Sequence, residues 1–231
     1  MPDHDLTERY AATRTRIASA AVEAAREPDS VGLVAISKGQ EAGAIRELVQ
    51  LGQRDFGENY LQEALPKLAS LADLPITWHF TGQVQSNKTR PLAESFAWIH
   101  TLDRERHAVR LNDQRPADAP ALNICIQVRL ADEPGKGGVE PAEVAALAAK
   151  IVQLPRLRLR GLMTLPPPQQ DFAAQREVFG RLTAQFNDLN VGGFNLDTLS
   201  MGMSADLEAA VAAGATLVRI GTALFGERHT T

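Results

Sequence analysis

The segment LDTLSMGMSADLEAAVAAGATLVRIG, residues 196–221, has the sequence pattern of a complete strand–loop–helix–strand unit. Its two ends predict strands over Leu196–Ser200 and Thr216–Gly221. Between them the run Ala205–Ala213 predicts a helix, with Ser204 as its N-terminal cap and Gly214 as the residue that ends it. Two strands connected through a helix in this way indicate a parallel βαβ unit.

The same alternation continues through the rest of the chain. Short β-rich runs alternate with segments that carry the 3.6-residue hydrophobic period of a helix. A long Ala-rich helix, roughly Leu6–Arg26, precedes the first strand. The eight predicted strands are Leu33–Ser37, Arg54–Glu58, Thr77–Thr81, Ala97–Thr101, Leu122–Val128, Leu159–Thr164, Leu196–Ser200 and Thr216–Gly221.

Eight strands with helices between them favour a closed barrel, whose usual size is about 250 residues. We therefore predict an α/β protein, a single-domain (β/α)8 TIM-type barrel over residues 1–231 with an extra N-terminal helix. The loop Asp132–Gly138 and the run Pro166–Pro168 each follow a strand, which indicates βα loops rather than domain boundaries. The alternative is an open doubly wound sheet, but the Gly-rich dinucleotide fingerprint is missing after every strand.

Composition limits the classes of partner. The chain of 231 residues has a formal net charge of −4 and a pI near 5.8. It therefore lacks the excess of positive charge that is typical of proteins that bind nucleic acid or anionic lipid. The single cysteine, Cys125, excludes an intramolecular disulfide, and no spacing of His, Cys, Asp and Glu indicates a metal site. The acidic N-terminus is unlike a secretory signal, and no apolar run approaches the roughly 18 residues of a membrane span. We expect a cytoplasmic protein with no membrane or nucleic-acid partner.

Lys38 follows the first predicted strand directly, where a barrel strand opens into the mouth that holds ligands. A lysine against apolar barrel walls is partly desolvated, and desolvation disfavours its charged form. Only the neutral amine attacks a carbonyl, so this position suits a Schiff-base nucleophile. Position alone nevertheless favours a solvated loop lysine, since most lysines are exposed.

The loops after strands seven and eight favour a ligand for that lysine. In barrels of this kind these loops form a recurrent phosphate site from backbone N–H groups and a helix N-terminus. Gly202 and Gly221 allow the backbone to approach an anion closely, and Ser200 and Thr222 supply hydroxyl donors. Two such loops at neighbouring strand ends predict a phosphorylated ligand, whereas either loop alone is only a tight turn.

Other strand ends carry residues that suit a flat, polar ligand. Asn59 and His79 are candidates for its polar atoms, and Met163 is a candidate for packing against its ring. A histidine in a buried strand is equally a satisfied core residue, and this applies to both His79 and His100.

Six blocks of the sequence together resemble the pyridoxal phosphate homeostasis protein family, a relative of the N-terminal barrel of alanine racemase. The resemblance runs from about Val31 to Arg228 and keeps the blocks in order. The blocks are Gly57–Tyr60, Trp78–Gly82, Gln85–Lys88, Gly161–Thr164, Leu199–Val211 and Val218–Gly226.

The resemblance implies a barrel of pyridoxal phosphate fold type III, with the cofactor held as an internal aldimine on Lys38. It also implies that Ser200, Gly221 and Thr222 bind the phosphate, that Arg219 faces the pyridine nitrogen, and that Asn59 lies near the cofactor. The sequence departs from the family in two places. The segment Lys38–Glu41 lacks a proline that often follows the lysine, and Val128-Arg129 replaces a common Val-Asn, which puts any ligand role for strand five in doubt.

Arg219 favours a carrier over an amino-acid enzyme. A cationic guanidinium disfavours protonation of the pyridine nitrogen, so the ring is a weaker electron sink. Racemisation tolerates this arginine but needs a second base, and in the related racemases that base is a tyrosine supplied with the help of a C-terminal domain. Only nine residues follow Thr222, so we expect no such domain, and Tyr60 near the mouth is the remaining candidate.

We therefore predict a monomer that buffers pyridoxal phosphate or delivers it to pyridoxal phosphate-dependent apo-enzymes. A weak fold-type III racemase is the first alternative. A cofactor-free Schiff-base aldolase acting on a phosphosugar is the second.

Overall fold

A computed structural model describes residues 3–131, 137–169 and 171–226, with no description of the side chains of residues 3–5. Strands and helices alternate along these ranges, as predicted. The strands are β1 (Gly32–Ile36), β2 (Asp55–Glu58), β3 (Thr77–Phe80), β4 (Trp98–Leu102), β5 (Leu122–Gln127), β6 (Leu157–Met163), β7 (Thr198–Ser200) and β8 (Leu217–Ile220). The helices are α1 (Asp3–Glu23), α2 (Ala42–Gln50), α3 (Leu61–Ser70), α4 (Thr89–Ser95), α5 (Glu105–Gln114), α6 (Val144–Ile151), α7 (Phe172–Val191), α8 (Leu207–Ala212) and α9 (Thr222–Phe225).

The eight parallel strands form a closed barrel, which confirms the predicted (β/α)8 architecture. Each strand pairs with the next, and β8 pairs with β1 from Gly32 opposite Leu217 to Ala35 opposite Ile220. The segments that follow Ile36 and Ile220 therefore leave the barrel side by side, at the mouth formed by the carboxyl ends of the strands. This closure brings the loop of Lys38 next to the end of β8.

Most strand residues are buried, on both faces of the sheet. In β5 the consecutive residues Ile124, Cys125 and Ile126 are all fully buried. One face packs inside the barrel and the other under the helices, which is why the strand is an almost continuous apolar run.

The N-terminal helix α1 covers the barrel beside the last βα unit. It ends three residues earlier than predicted, because Ala25 adopts a positive φ of 55° and leaves the helical conformation. Arg16 of α1 forms an ion pair with Glu208 of α8 and donates a hydrogen bond of 2.8 Å to the carbonyl oxygen of Ser204. The helix thereby holds the loop after β7.

Helix α8 is shorter than the predicted Ala205–Ala213, and Ser204 does not cap it. Asp206 occupies the N-cap position, and its carboxylate accepts the N–H of Met203 at 2.6 Å. The Ser204 hydroxyl instead accepts the N–H of Ala223, at 3.3 Å, in the first turn of α9. The loops after β7 and β8 are therefore joined through this serine.

Two further predictions concern loops. The run Pro166–Pro168 follows β6 as an irregular segment, as predicted. The predicted loop Asp132–Gly138 lies mostly outside the described residues, as does Arg228 at the end of the resemblance. In the described part of the chain, no helix is long and apolar enough to cross a membrane.

Candidate functional site

A cavity of about 390 Å³ opens at the carboxyl-end mouth of the barrel, between the loops that follow β1, β2, β3, β6, β7 and β8. This volume lies in the range of small-molecule sites. Its lining combines a lysine, an arginine, hydroxyl and amide groups, and a few apolar side chains. The lining residues are Ile36, Lys38, Asn59, Thr81, Leu165, Met203, Ser204, Ala205, Arg219, Gly221 and Thr222. The structure thus brings together five of the predicted site residues, namely Lys38, Asn59, Arg219, Gly221 and Thr222.

The backbone on both sides of Lys38 is held by helix α3. The carbonyl oxygen of Ser37 accepts a hydrogen bond of 2.8 Å from the Lys67 ammonium, and the Gly39 N–H donates to the Glu63 carboxylate. The Ser37 hydroxyl donates to Glu58 at 2.6 Å. Lys38 itself is only partly buried and lines the cavity. Its position is therefore fixed by neighbours that do not enter the cavity.

A buried charge cluster underlies that loop. The Lys67 ammonium lies 2.7 Å from a Glu58 carboxylate oxygen and 3.0 Å from one of Glu63. Glu58 is fully buried, and this burial raises the pKa of its carboxyl group, while hydrogen bonds from Lys67 and Ser37 oppose the rise. Sequence reasoning did not predict this cluster, since lysines are rarely buried unless they are paired.

Arg219 is a buried cation at the cavity wall. One guanidinium nitrogen donates to the Ser200 hydroxyl at 2.7 Å and the other to the Thr164 carbonyl at 2.9 Å. Burial lowers the pKa of Arg219 to about 10, which leaves the guanidinium charged at neutral pH. Because both hydrogen bonds fix its plane, Arg219 presents a defined positive charge to the cavity.

Asn59 and Thr81 form a polar pair at the ends of β2 and β3. The Thr81 hydroxyl donates to the Asn59 side-chain oxygen at 2.9 Å, so the Asn59 amide nitrogen is left as a donor. The backbone of Asn59 lies against Gly82, where an added Cβ would come within 1.9 Å of the Asn59 carbonyl oxygen. Gly82 is therefore needed for the close approach that positions Asn59.

The hydroxyl groups at the mouth differ from those predicted for the phosphate. Thr222 lines the cavity at the start of α9, as predicted, and Ser204 lines it as well. Ser200 is fully buried, does not line the cavity, and bonds to Arg219 and His100.

The glycines in these loops also differ in role. Gly221 lines the cavity and packs against Ile36, where an added Cβ would lie 3.5 Å away. Gly202 does not line it. Its φ of 94° and its contact with Ala210 show that it is needed for the turn itself.

His79 and Met163 lie inside the barrel rather than at the cavity wall. Both are almost completely buried, and neither belongs to the lining. His79 bonds through its two ring nitrogens to His100 and Asp55, and its ring is stacked on Trp98. Met163 is the last residue of β6 and pairs with Ser200 of β7. His79 is linked to Arg219 of the mouth through His100 and Ser200, whereas Met163 is simply a buried residue.

The sequence reasoning did not assign Ile36, Thr81, Leu165, Met203, Ser204 or Ala205 to the site. All six are close to the end of a predicted strand, which is the signal by which they could have been found. Tyr60, expected near the mouth, occupies the N-cap position of α3, but its side chain is exposed and outside the lining. Arg129, the departure on strand five, forms an ion pair with Glu140 and also lies outside this lining.

Comparison with known proteins decides the family. The model of the family described as "Alanine racemase, N-terminal domain" matches residues 14–229. A pyridoxal phosphate homeostasis protein of Pseudomonas aeruginosa is 56% identical over 223 residues, which is 96% of each chain. The chain belongs to the pyridoxal phosphate homeostasis protein family. The member from Escherichia coli K12 is 49% identical over 228 residues, or 97% of both chains.

Solved structures agree with this membership. The structure described as PipY of Synechococcus elongatus PCC7942 with PLP bound is 39% identical, has a TM-score of 0.85, and is matched over 96% of this chain and 100% of that one. A lysine decarboxylase from Selenomonas ruminantium has a TM-score of 0.72 at 14% identity, with 96% of this chain and 61% of that chain covered. The similarity to the lysine decarboxylase shows a shared fold only.

Proposed function

We propose that this protein binds pyridoxal phosphate in the cavity at the barrel mouth and buffers or delivers the cofactor without robust turnover. The observation that carries the proposal is the joint lining of one cavity by Lys38, Arg219 and the hydroxyl-bearing loops after β7 and β8. The homologues named for pyridoxal phosphate homeostasis, and PipY with PLP bound, support the same cofactor.

The residues of the cavity fit the groups of this cofactor. When bound, the cofactor supplies an aldehyde that condenses reversibly with a primary amine, and Lys38 supplies such an amine in the described lining of the cavity. Arg219, which lines the cavity, would face the ring nitrogen as the family resemblance implies, and its positive charge would disfavour protonation there. The amide nitrogen of Asn59 is a donor for the polar substituents of the ring, whereas the apolar faces of Ile36, Leu165 and Met203 suit the ring itself.

The phosphate fits the loops after β7 and β8. Thr222 supplies a hydroxyl and, as the first residue of α9, a backbone N–H that has no acceptor within the helix, whereas the next N–H, of Ala223, already donates to the Ser204 hydroxyl. Gly221 allows the backbone to lie close to the anion, and Ser204 supplies a second hydroxyl on the facing loop. We therefore assign to Ser204 the phosphate-binding role that was predicted for Ser200, whereas Ser200 orients Arg219.

The lining argues for a carrier. Apart from Lys38, none of the described residues that line the cavity is an Asp, Glu, His, Cys or Tyr, so no second base faces a bound amino acid. Both tyrosines of the chain lie elsewhere: Tyr60 is 60% exposed beside α3, and Tyr10 packs against the core from α1. A racemase needs bases on both faces of its substrate, and the described lining of this cavity offers one.

The phosphate assignment is tested by comparing pyridoxal phosphate with pyridoxal in fluorescence titrations. We expect wild-type protein to bind the phosphorylated form at least about 100-fold more tightly, because charge-assisted hydrogen bonds to the phosphate are lost in pyridoxal. Ser204→Ala should weaken pyridoxal phosphate binding about fivefold and leave pyridoxal unaffected. Ser30→Ala, an exposed serine outside the cavity, is the control. Equal affinities for the two forms would refute the phosphate site.

The carrier assignment is tested by α-deuterium exchange of amino acids in heavy water, monitored by proton NMR. We expect no amino acid in a panel of L and D forms to exchange at more than a trace rate with loaded protein, because the cavity lacks a second base. Exchange of one amino acid at a rate typical of enzymes would establish the racemase alternative. Turnover of a phosphosugar by protein free of cofactor would establish the aldolase alternative.

We also propose that the protein is a cytoplasmic monomer and that pyridoxal phosphate-dependent apo-enzymes receive its cofactor. Exposed large hydrophobic side chains are spread over the described surface rather than joined in a stripe along one helix. Val22 lies in α1, Val109 in α5, and Phe172 and Val191 at opposite ends of α7. Single exposed residues of this kind are ordinary on a monomer surface.

A further inference from the structure

A continuous chain of hydrogen bonds crosses the barrel interior from the cavity to the opposite end. It begins at the guanidinium of Arg219, which lies 2.7 Å from the Ser200 hydroxyl, and that hydroxyl lies 2.7 Å from Nδ1 of His100. His100 Nε2 lies 2.8 Å from Nδ1 of His79, and His79 Nε2 lies 2.9 Å from a carboxylate oxygen of Asp55. Asp55 is the first residue of β2, at the base of the barrel.

The two ends of this hydrogen-bond chain differ in kind, because one can only donate hydrogen bonds and the other can only accept them. Arg219 is a donor only, since a guanidinium has no acceptor. The Asp55 side chain is 43% exposed, and a carboxylate is an acceptor only. The residues between them are buried, His100 and Ser200 completely and His79 almost completely.

These ends determine the position of every proton between them. Because Asp55 only accepts, Nε2 of His79 must carry a hydrogen, and Nδ1 of a neutral His79 must then accept. His100 therefore donates from Nε2 and accepts at Nδ1, where the Ser200 hydroxyl donates. The Ser200 oxygen remains free to accept from Arg219, so all four bonds point the same way.

Burial keeps both imidazoles in the neutral form that this order requires. It lowers the pKa of His100 well below the ordinary value, and the neighbouring His79 and Arg219 lower it further. Burial also lowers the pKa of His79, against the opposing effect of Asp55. The ring of His79 is stacked on Trp98 at 5.3 Å, which fixes its plane.

We propose that Asp55, His79, His100 and Ser200 form a one-way hydrogen-bond relay that positions Arg219, with its direction set by the carboxylate at the base of the barrel. All four are positioning residues, because none of them lines the cavity. Their importance for cofactor binding rests on the proposed function, whereas the order of the protons is a property of the protein alone.

The direction of the relay is tested by NMR on cofactor-free protein labelled with ¹⁵N in histidine. We expect both His79 and His100 to show a protonated Nε2 and an unprotonated Nδ1, with a scalar coupling across the bond between His100 Nε2 and His79 Nδ1. In Asp55→Asn the amide can either accept from His79 or donate to it, so both tautomers should appear in both rings. A protonated Nδ1 in the wild-type protein, or a single unchanged tautomer in Asp55→Asn, would overturn the proposal.

The positioning of Arg219 is tested with Ser200→Ala. In wild-type protein we expect separate resonances for the two terminal guanidinium nitrogens of Arg219, because each is held by its own hydrogen bond. Ser200→Ala should merge these resonances and weaken pyridoxal phosphate binding about tenfold. Ser86→Ala is the matched control, since Ser86 bonds to a histidine outside the relay, His107, at 3.0 Å.

The outcomes separate this inference from the proposed function. Wild-type protein that shows the expected tautomers but binds no pyridoxal phosphate would refute the proposed function and leave the proton order standing. Unmerged Arg219 resonances and unchanged affinity in Ser200→Ala, in protein that binds the cofactor, would refute the positioning role alone.

Discussion

Lys38→Ala should abolish the visible absorption that pyridoxal phosphate acquires on binding to this protein. Of the five lysines in the sequence, Lys38 is the one in the described cavity lining. Loss of its amine removes the covalent attachment, while Arg219 and the phosphate loops still bind the cofactor noncovalently. We therefore expect the yellow band to vanish and the dissociation constant to rise by at least about 100-fold, equivalent to some 2.7 kcal/mol.

Absorption spectroscopy and borohydride reduction followed by peptide mass mapping measure this prediction. In the wild-type protein the reduced cofactor should be found on the peptide that carries Lys38. Lys150→Ala is the matched control, because Lys150 is an exposed residue in the last turn of α6 and should leave the band unchanged. A reduced adduct on another lysine of the wild-type protein, or a band that survives in Lys38→Ala, would place the attachment elsewhere.

Much of this site was predictable because it depends on local sequence. The ends of strands can be predicted from hydrophobic runs, and in a closed parallel barrel the carboxyl ends of all strands lie at the same mouth. Lys38, Asn59, Arg219, Gly221 and Thr222 each lie within three residues of such an end, and the structure brings them to one cavity.

The remainder depends on contacts across the barrel that spacing does not encode. His79 and His100 are 21 residues apart, and His100 and Ser200 are 100 apart, yet each pair is in hydrogen-bond contact inside the barrel. Which of two strand-end serines reaches the cavity depends on the turn after β7. Gly202 and Asp206 shape that turn so that Ser204 faces the mouth and Ser200 faces inwards. The burial of Lys67 and Glu58 as a pair likewise depends on tertiary packing, which the sequence pattern does not reveal.

Lys67→Met should destabilise the protein by about 3 kcal/mol at pH 7, because it leaves Glu58 as a buried charge without its cation. Glu58 is fully buried, and one of its carboxylate oxygens already lacks a hydrogen-bond partner among the described residues. Urea unfolding followed by circular dichroism measures the loss. Lys150→Met, at an exposed helical position, should change stability by less than about 0.5 kcal/mol.

The loss of stability in Lys67→Met should also depend on pH in a defined direction. Burial raises the pKa of Glu58, and loss of Lys67 removes a hydrogen bond and a charge that lower it. In the variant, folded protein therefore binds a proton at Glu58 more readily than unfolded protein does. Since the folded state then holds more protons, stability falls as pH rises through the folded-state pKa, and it recovers as pH is lowered. The difference from wild type should consequently shrink between pH 7 and pH 5.

Replacing the carboxylate of Glu58 should remove the cause of the stability loss in Lys67→Met. Lys67→Met combined with Glu58→Gln has no buried charge, so it should be more stable at pH 7 than Lys67→Met alone and should lose the added pH dependence. The side-chain oxygen of the introduced glutamine can still accept the Ser37 hydroxyl, but the Ser37 carbonyl lacks its ammonium donor. We therefore expect the double variant to regain stability and to bind pyridoxal phosphate more weakly than wild type, because the backbone beside Lys38 is less firmly held. A double variant no more stable than Lys67→Met would show that the loss comes from packing and not from the unpaired charge of Glu58.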